Sequence, residues 1–226
     1  MEKKLEVNNL RISFRTDAGK VQAVRGIDFD LYKGETLAIV GESGSGKSVT
    51  NKAIIGISAS NAIIESGEIL YDGKSISQIP QNEYRLKYVS LIYQNFCLLP
   101  FMTVMENVTY PSTLLKVPKK DAIENAKKQL AKLSLDESYY KRRPHMLSGG
   151  EQQRVASARA MCTGAAVFTA DEPTGNLDSA NAQIIADILS RLAHEEGKTV
   201  IMVTHDLAMA ERADVVIRLK DGRIDS

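Results

Sequence analysis

Apolar residues recur along this chain with two periods. Leu5 and Val7, then Leu10 to Phe14, predict an opening strand and its continuation; Asp17-Ala18-Gly19 supplies a turn, and Val21 to Leu31 resumes a strand pattern. Lys33-Gly34-Glu35 turns the chain into the apolar run 36–40 (TLAIV), short, β-rich and bounded by glycine, as a strand buried on both faces should be. A glycine-rich stretch, 41–46, leads into a helix predicted over Lys47 to Ile57. Gly67 to Gly73 reads as a strand closing on a turn, and 88–93 (YVSLIY) as another strand. Roughly 95–160 is mostly helical. Lys119 to Leu133 places Ile123, Ala126, Leu130 and Leu133 on one face with lysines opposite, and Gly149 to Met161 is a further helix. A buried strand is predicted at Ala166 to Ala170. A helix follows over Ser179 to Ala193 with Ile184, Ile185, Ile188, Leu189 and Leu192 inward, then strands at Thr199 to Thr204 and 215–219. Strands alternating with helices on both sides of a helical block predict an α/β core with a mostly parallel sheet.

Bulk properties narrow the function classes. The 226 residues suffice for one large domain. A formal net charge of +1 gives no broad electrostatic case for nucleic acid, and none is expected as a partner. Cys97 and Cys162 make neither a disulfide framework nor a zinc site, so two buried or half-buried thiols are expected. No stretch approaches the ~18 consecutive apolar residues of a membrane span. Residues 53–64 come closest and are interrupted by Gly56, Ser58, Ser60 and Asn61. The chain is expected to be soluble by itself and to reach any membrane through another chain.

Candidate chemistry begins at 41–48. GESGSGKS satisfies every fixed position of G-x-x-x-x-G-K-[ST] between a predicted strand and a predicted helix. With ordinary residue frequencies such a match arises by chance on the order of once in 10⁴–10⁵ starts. The glycines let backbone N–H groups face phosphate oxygens at the positive end of a helix dipole; Lys47 adds a point charge for the β- and γ-phosphates, and the Ser48 hydroxyl can ligate Mg²⁺. A second feature is Asp171-Glu172, two carboxylates ending an apolar strand. Alone the pair is weak evidence of chemistry. Downstream of a phosphate loop, Asp171 can hold Mg²⁺ through water and Glu172 can accept a proton from attacking water. His205 follows the strand TVIMVT, where strand order in such sheets brings an imidazole near the γ-phosphate; taken alone, it would be a satisfied strand-end histidine. His145 and His194 lack comparable context.

Residues 147–154, LSGGEQQR, complete the set, and the chain resembles the ABC (ATP-binding cassette) ATPases over essentially its whole length, with all motifs in family order. Ser148, Gly149, Gly150 and Glu151 open a helix and so offer a second anion site. The resemblance implies a P-loop NTPase with a RecA-like core of mostly parallel sheet, an N-terminal antiparallel β subdomain and an inserted α-helical subdomain. On that basis 1–226 is a single domain, with 1–94 and 161–226 the nucleotide-binding core and 95–160 the helical signature subdomain. It also implies a head-to-tail dimer of two copies sharing ATP, each Ser148 loop closing on the γ-phosphate held by the other copy's Lys47. Nucleotide contacts are then expected from Phe14, stacking on adenine, from Gly41, Glu42, Ser43, Gly44, Ser45, Gly46, Lys47, Ser48 and Val49, and from Ser148 to Glu151 and Asp178. Catalysis is expected from Glu172, His205, Lys47 and Gln94, and Mg²⁺ ligation from Ser48, Gln94 and Asp171. The apolar loop 94–104 is expected to receive integral membrane permease subunits, which would hold the chain at the cytoplasmic face of the cell membrane.

Two local resemblances point apart. VGESGSGKSVT looks like the ATPases of peptide importers. SLIYQNFCLLPFMTVMENV, ADEPTGNLDS and VTHDLAMAERADVVIRLKDGRI are similar to the lipoprotein-release and macrolide or antimicrobial-peptide export group, which is the reading favoured here. A non-transporting mechanotransmission ATPase of the cell-division type is the alternative from another class. Cys162 to Ala166 departs from the more polar stretch usual in the family, and Thr169 is polar within its strand; altered packing alone is expected from both.

Overall fold

The computed structural model describes residues 2–225 and builds two sheets. The first is antiparallel, with strands β1 (Lys3–Thr16), β2 (Gly19–Tyr32), β4 (Ala62–Tyr71) and β5 (Lys74–Ser75) in the order β2-β1-β4-β5. The second has six strands in the order β10-β9-β3-β8-β7-β6: β3 (Thr36–Val40), β6 (Val89–Tyr93), β7 (Val167–Asp171), β8 (Thr199–Thr204), β9 (Val215–Lys220) and β10 (Arg223–Asp225). Every pairing in it is parallel except β9 with β10. All residues of β3 and β8 are buried, because apolar layers cover both faces. Leu37, Ile39, Ile201 and Val203 face one core, shared with the first sheet and α1 (Lys47–Ile54); Ala38, Val40, Val200 and Met202 face the other, shared with the helices.

The remaining helices are α2 (Gln81–Glu83), α3 (Val104–Leu114), α4 (Lys119–Lys132), α5 (Gly149–Met161), α6 (Ser179–His194) and α7 (Leu207–Ala210). Thr103 starts α3 with a reciprocal capping box to Glu106. α3, α4 and α5 form the helical block between β6 and β7, two strands that are themselves hydrogen-bonded neighbours with Tyr93 opposite Asp171.

Differences from the sequence-based expectations have local causes. α1 stops at Ile54, short of Ile57, because Gly56 takes a left-handed conformation (φ 67°). The Ile57 amide then reaches back to the Lys52 carbonyl (2.8 Å) and the Gly56 amide to that of Ala53 (3.0 Å), a Schellman stop. β4 begins at Ala62, five residues early, paired to β1. Ile184 is 40% exposed, so the buried stripe of α6 starts at Ile185. Cys97 is exposed, against expectation: it sits at a left-handed position (φ 47°) in the loop after β6, where its carbonyl and not its thiol is used, accepting from Arg159 (2.7 Å). Cys162 is buried, and burial pushes its thiol up to about 12. Thr169 is fully buried and its hydroxyl finds no partner among the described residues.

Candidate nucleotide site

The loop 41–46 connects β3, an interior strand of the parallel set between β9 and β8, to α1. Its path leaves no room for a side chain at either end. A Cβ at Gly41 would meet the Leu219 carbonyl of β9, and one at Gly46, where φ is 103°, would lie 2.6 Å from the Ala23 carbonyl of β2. The Gly222 turn clamps the loop from outside, its amide donating to the Ser45 carbonyl (3.1 Å) and its carbonyl accepting from Arg25 (2.7 Å). α1 therefore starts from a glycine with no side-chain cap.

Lys47 is only 8% exposed. Its Nζ donates to the carbonyls of Gly41 (2.7 Å) and Glu42 (2.9 Å), so the ammonium lies folded across the loop's own backbone. The Ser48 hydroxyl donates to Asp171 Oδ1 (3.2 Å) at the end of β7. Burial raises the Asp171 carboxyl above the ordinary carboxylate range; the Ser48 hydrogen bond and Lys52 oppose that only in part. Ser48 and Asp171 thus set two hard oxygen donors side by side at a half-buried position where a cation would relieve the desolvated charge, which is the donor chemistry Mg²⁺ takes. No cluster of three His, Cys, Asp or Glu occurs among the described residues.

Glu172 holds a left-handed backbone (φ 48°), with its amide bonded to the Val203 carbonyl of β8 (2.8 Å). Its carboxylate is 2.9 Å from His205 Nδ1. A cleft of about 380 Å³ gathers Ser43, Gly44, Gly46, Lys47, Ser48, Val49, Gln94, Glu172 and His205, with Ala23 as its outer wall. A larger opening, about 580 Å³, flanks the loop on the β9–β10 side and takes in Gly41, Glu42 and Ser45. The two share Ser43, Gly44 and His205, but Lys47, Ser48 and Glu172 belong to the smaller, which is therefore the candidate site.

Some expected residues lie elsewhere. Phe14 is half-buried on β1, paired to Val21 and Ala62, and lines neither opening. Ser148 to Glu151 start α5 away from the cleft, and Ser148 is exposed. The Ser148 oxygen accepts from the Glu151 amide (3.3 Å) while the Glu151 carboxylate accepts from the Ser148 amide (2.7 Å). Asp178 caps α6, accepting from the Asn181 amide (2.8 Å). His194 bridges Ser190 and Asp214 on the surface, remote from the cleft. Ala23 and the Gly222 turn shape the site, yet neither had a sequence signal. Each contributes backbone atoms, which leave no residue-type trace.

Comparisons agree with this geometry. A family model described as ABC transporter matches residues 24–175. The macrolide export ATP-binding/permease protein MacB of Pasteurella multocida is 38% identical over 97% of this chain and 33% of its own length. An uncharacterized ABC transporter ATP-binding protein of Thermotoga maritima is 36% identical over 100% of this chain and 95% of its own. The chain thus spans about a third of that export protein and nearly all of the Thermotoga relative. The dimeric structure of the cassette MJ0796 superposes with a TM-score of 0.87 at 31% identity, over 98% of this chain and 97% of that one. The same cassette has been solved as a dimer in a post-hydrolysis state bound to ADP and Pi, with a TM-score of 0.87 at 30% identity. No helix among the described residues is long and apolar enough to cross a membrane. A phosphate loop and a strand-end glutamate in one cleft, a carboxylate bonded to that loop's Ser48, the LSGGEQQR helix start outside the cleft, and the family and relative matches place this chain in the ABC transporter family as one of its ATP-binding, ATP-hydrolysing cassettes.

Proposed function

We propose that two copies of this chain close head to tail around two ATP molecules and so move separate membrane permease subunits. The observation that carries the reading is the separation within one chain: the cleft collects every hydrolytic side chain, while the exposed Ser148 start lies outside it. A second copy is what brings such a start onto a bound triphosphate. On this reading Lys47 leaves the Gly41 and Glu42 carbonyls for the phosphates, and the loop amides take the oxygens. Ser48, Asp171 and Gln94 hold Mg²⁺, which offsets charge on the phosphates. Glu172 takes the proton of the attacking water, and His205, already 2.9 Å from that carboxylate, keeps it oriented. Phe14 offers its ring to adenine at the rim, and Asp178 ends the loop that would meet the second copy.

The permease contact falls on the loop 94–104, where Phe101 is 87% exposed, and that contact holds the chain at the cytoplasmic face of the membrane. Within the single domain 1–226, residues 95–160 act as the moving helical part against the core 1–94 and 161–226. Identity to a macrolide export protein supports export or extraction of a lipoprotein, peptide or drug-like compound.

The test is Glu172→Gln with ATP and Mg²⁺. Sedimentation velocity should show a nucleotide-dependent dimer, and turnover should fall about 10²–10⁴-fold, the range for loss of a general base. A variant that stays monomeric with ATP bound, or that hydrolyses at the parent rate, overturns the reading.

A further inference from the structure

The Glu151 carboxylate has two oxygens, and both are engaged. Oε2 accepts from the Ser148 amide (2.7 Å); Oε1 accepts from the Tyr139 hydroxyl (2.8 Å). The first contact is half of an ordinary capping box. The second comes from outside the helix, and helix capping does not require it. Tyr139 is itself held. The Arg142 guanidinium lies 4.1 Å from its ring centroid, and Arg142 is anchored to the Ser138 carbonyl (3.2 Å). The same short segment is sewn to the first turn of α3: the Val104 amide donates to the Arg142 carbonyl (2.8 Å) and the Met105 amide to the Tyr140 carbonyl (3.2 Å). α3 begins at the Thr103 cap, where the apolar loop 94–104 ends. A continuous bonded path therefore runs from that loop through the start of α3, residues 139–142 and Glu151 to Ser148.

We propose that Tyr139 is a positioning residue for ATP hydrolysis, its hydroxyl fixing Glu151 so that the Ser148 start keeps one orientation and follows displacements of the 94–104 loop. This rests on the reading that Ser148 meets a nucleotide held by a second copy. The physical reason is restraint. A carboxylate held at one oxygen can rotate about its last torsion; held at both, it cannot without breaking a charge-assisted bond. Removing the hydroxyl leaves the cap formed but loosely aimed. The loss then appears where aim matters, at the contact between copies, and not at the chain's own cleft, which Ser148 does not line. The carboxyl of Glu151 carries the same imprint. The Ser148 amide does most to hold it below the usual range, and the Tyr139 hydroxyl adds to that against the opposing effect of burial.

Tyr139→Phe keeps the ring under Arg142 and deletes only the hydroxyl. In a Glu172→Gln background, sedimentation velocity with ATP should show a dimer dissociation constant raised about three- to tenfold, the range for loss of one hydrogen bond. ATP affinity of the dilute monomer by calorimetry and the thermal midpoint should stay at parent values, and carbon NMR should show the Glu151 carboxyl titrating higher. The same change made together with Glu151→Ala should have no further effect on dimer affinity, since the group it acts through is gone. An unchanged dimer constant for Tyr139→Phe, or an equal weakening with and without Glu151, overturns the proposal. If the Glu172→Gln parent itself fails to dimerise with ATP, the fault lies in the two-copy reading, and the role given to Tyr139 falls with it.

Discussion

α1 and α5 both begin where glycines turn into a helix, yet their first turns are finished in opposite ways. α1 starts from Gly46 in a left-handed conformation with no side-chain cap, buried against Ala23, and its neighbouring cation is parked on loop carbonyls. α5 starts from an exposed Ser148 whose capping box with Glu151 is complete. An uncapped start leaves amides that want an outside acceptor, whereas a capped start is content without one. Affinity for a polyanion therefore resides at α1. What α5 still has to give is the proton of the Ser148 hydroxyl, whose oxygen is already accepting, together with the field of its helix. On the two-copy reading, one start binds and the other completes.

Three substitutions probe this division, from the largest expected effect down. Lys47→Ala should weaken ATP binding by the isolated chain about 10- to 100-fold by calorimetry, the worth of a charge-assisted contact; unchanged affinity would remove α1 from its role. Ser148→Ala should leave that affinity alone while weakening nucleotide-driven dimer formation. Loss of the cap should also cost about 1 kcal/mol of stability, a drop of about 2–4 °C in thermal midpoint. If Ser148→Ala lowers monomer affinity as Lys47→Ala does, the contrast between the two starts is wrong.

Asp171→Asn shifts stability least, and its effect is the most specific. In the native state Asp171 keeps its proton to a higher pH than in the unfolded chain, because burial raises its carboxyl. Between the ordinary Asp value and the raised one, its contribution makes stability fall as pH rises; above the raised value the full penalty persists. Asn removes that slope. Urea unfolding from pH 4 to 7 should show Asp171→Asn more stable than the parent at neutral pH, with the difference shrinking as pH falls, and Mg²⁺-dependent turnover lost. A parent and variant with parallel pH profiles would show that the carboxylate carries no such load.

Much of this was readable from residue order. The run 36–40 could only be a strand buried on both sides, and the GESGSGKS spacing placed the phosphate loop at its end. Asp171 and Glu172 were legible because two acids ending an apolar strand are costly without a purpose. What stayed hidden depends on atoms that carry no residue signature. The Ala23 carbonyl and the Gly222 turn confine the loop through backbone alone. β10 is three exposed residues, too short for a periodic pattern. Tyr139 ends a single 3-10 turn, Glu137–Tyr139, and nothing local marks it as a partner of Glu151. Ile184 looked apolar and inward by spacing, but it lies at the margin of the α6 stripe, where the helix turns toward solvent.

The backbone of Glu172 constrains the evolutionary future of this cassette. A side chain larger than glycine at φ 48° is tolerated best when it is asparagine or aspartate and worst when it is branched at Cβ. A lineage losing hydrolysis at this position therefore has a narrow exit. It can pass through glycine, asparagine or aspartate with the end of β7 intact, whereas valine, isoleucine or threonine would first have to break the amide bond to Val203 and pull apart the strand pair beneath the site. Retired copies of this ATPase should carry the first set of replacements and avoid the second.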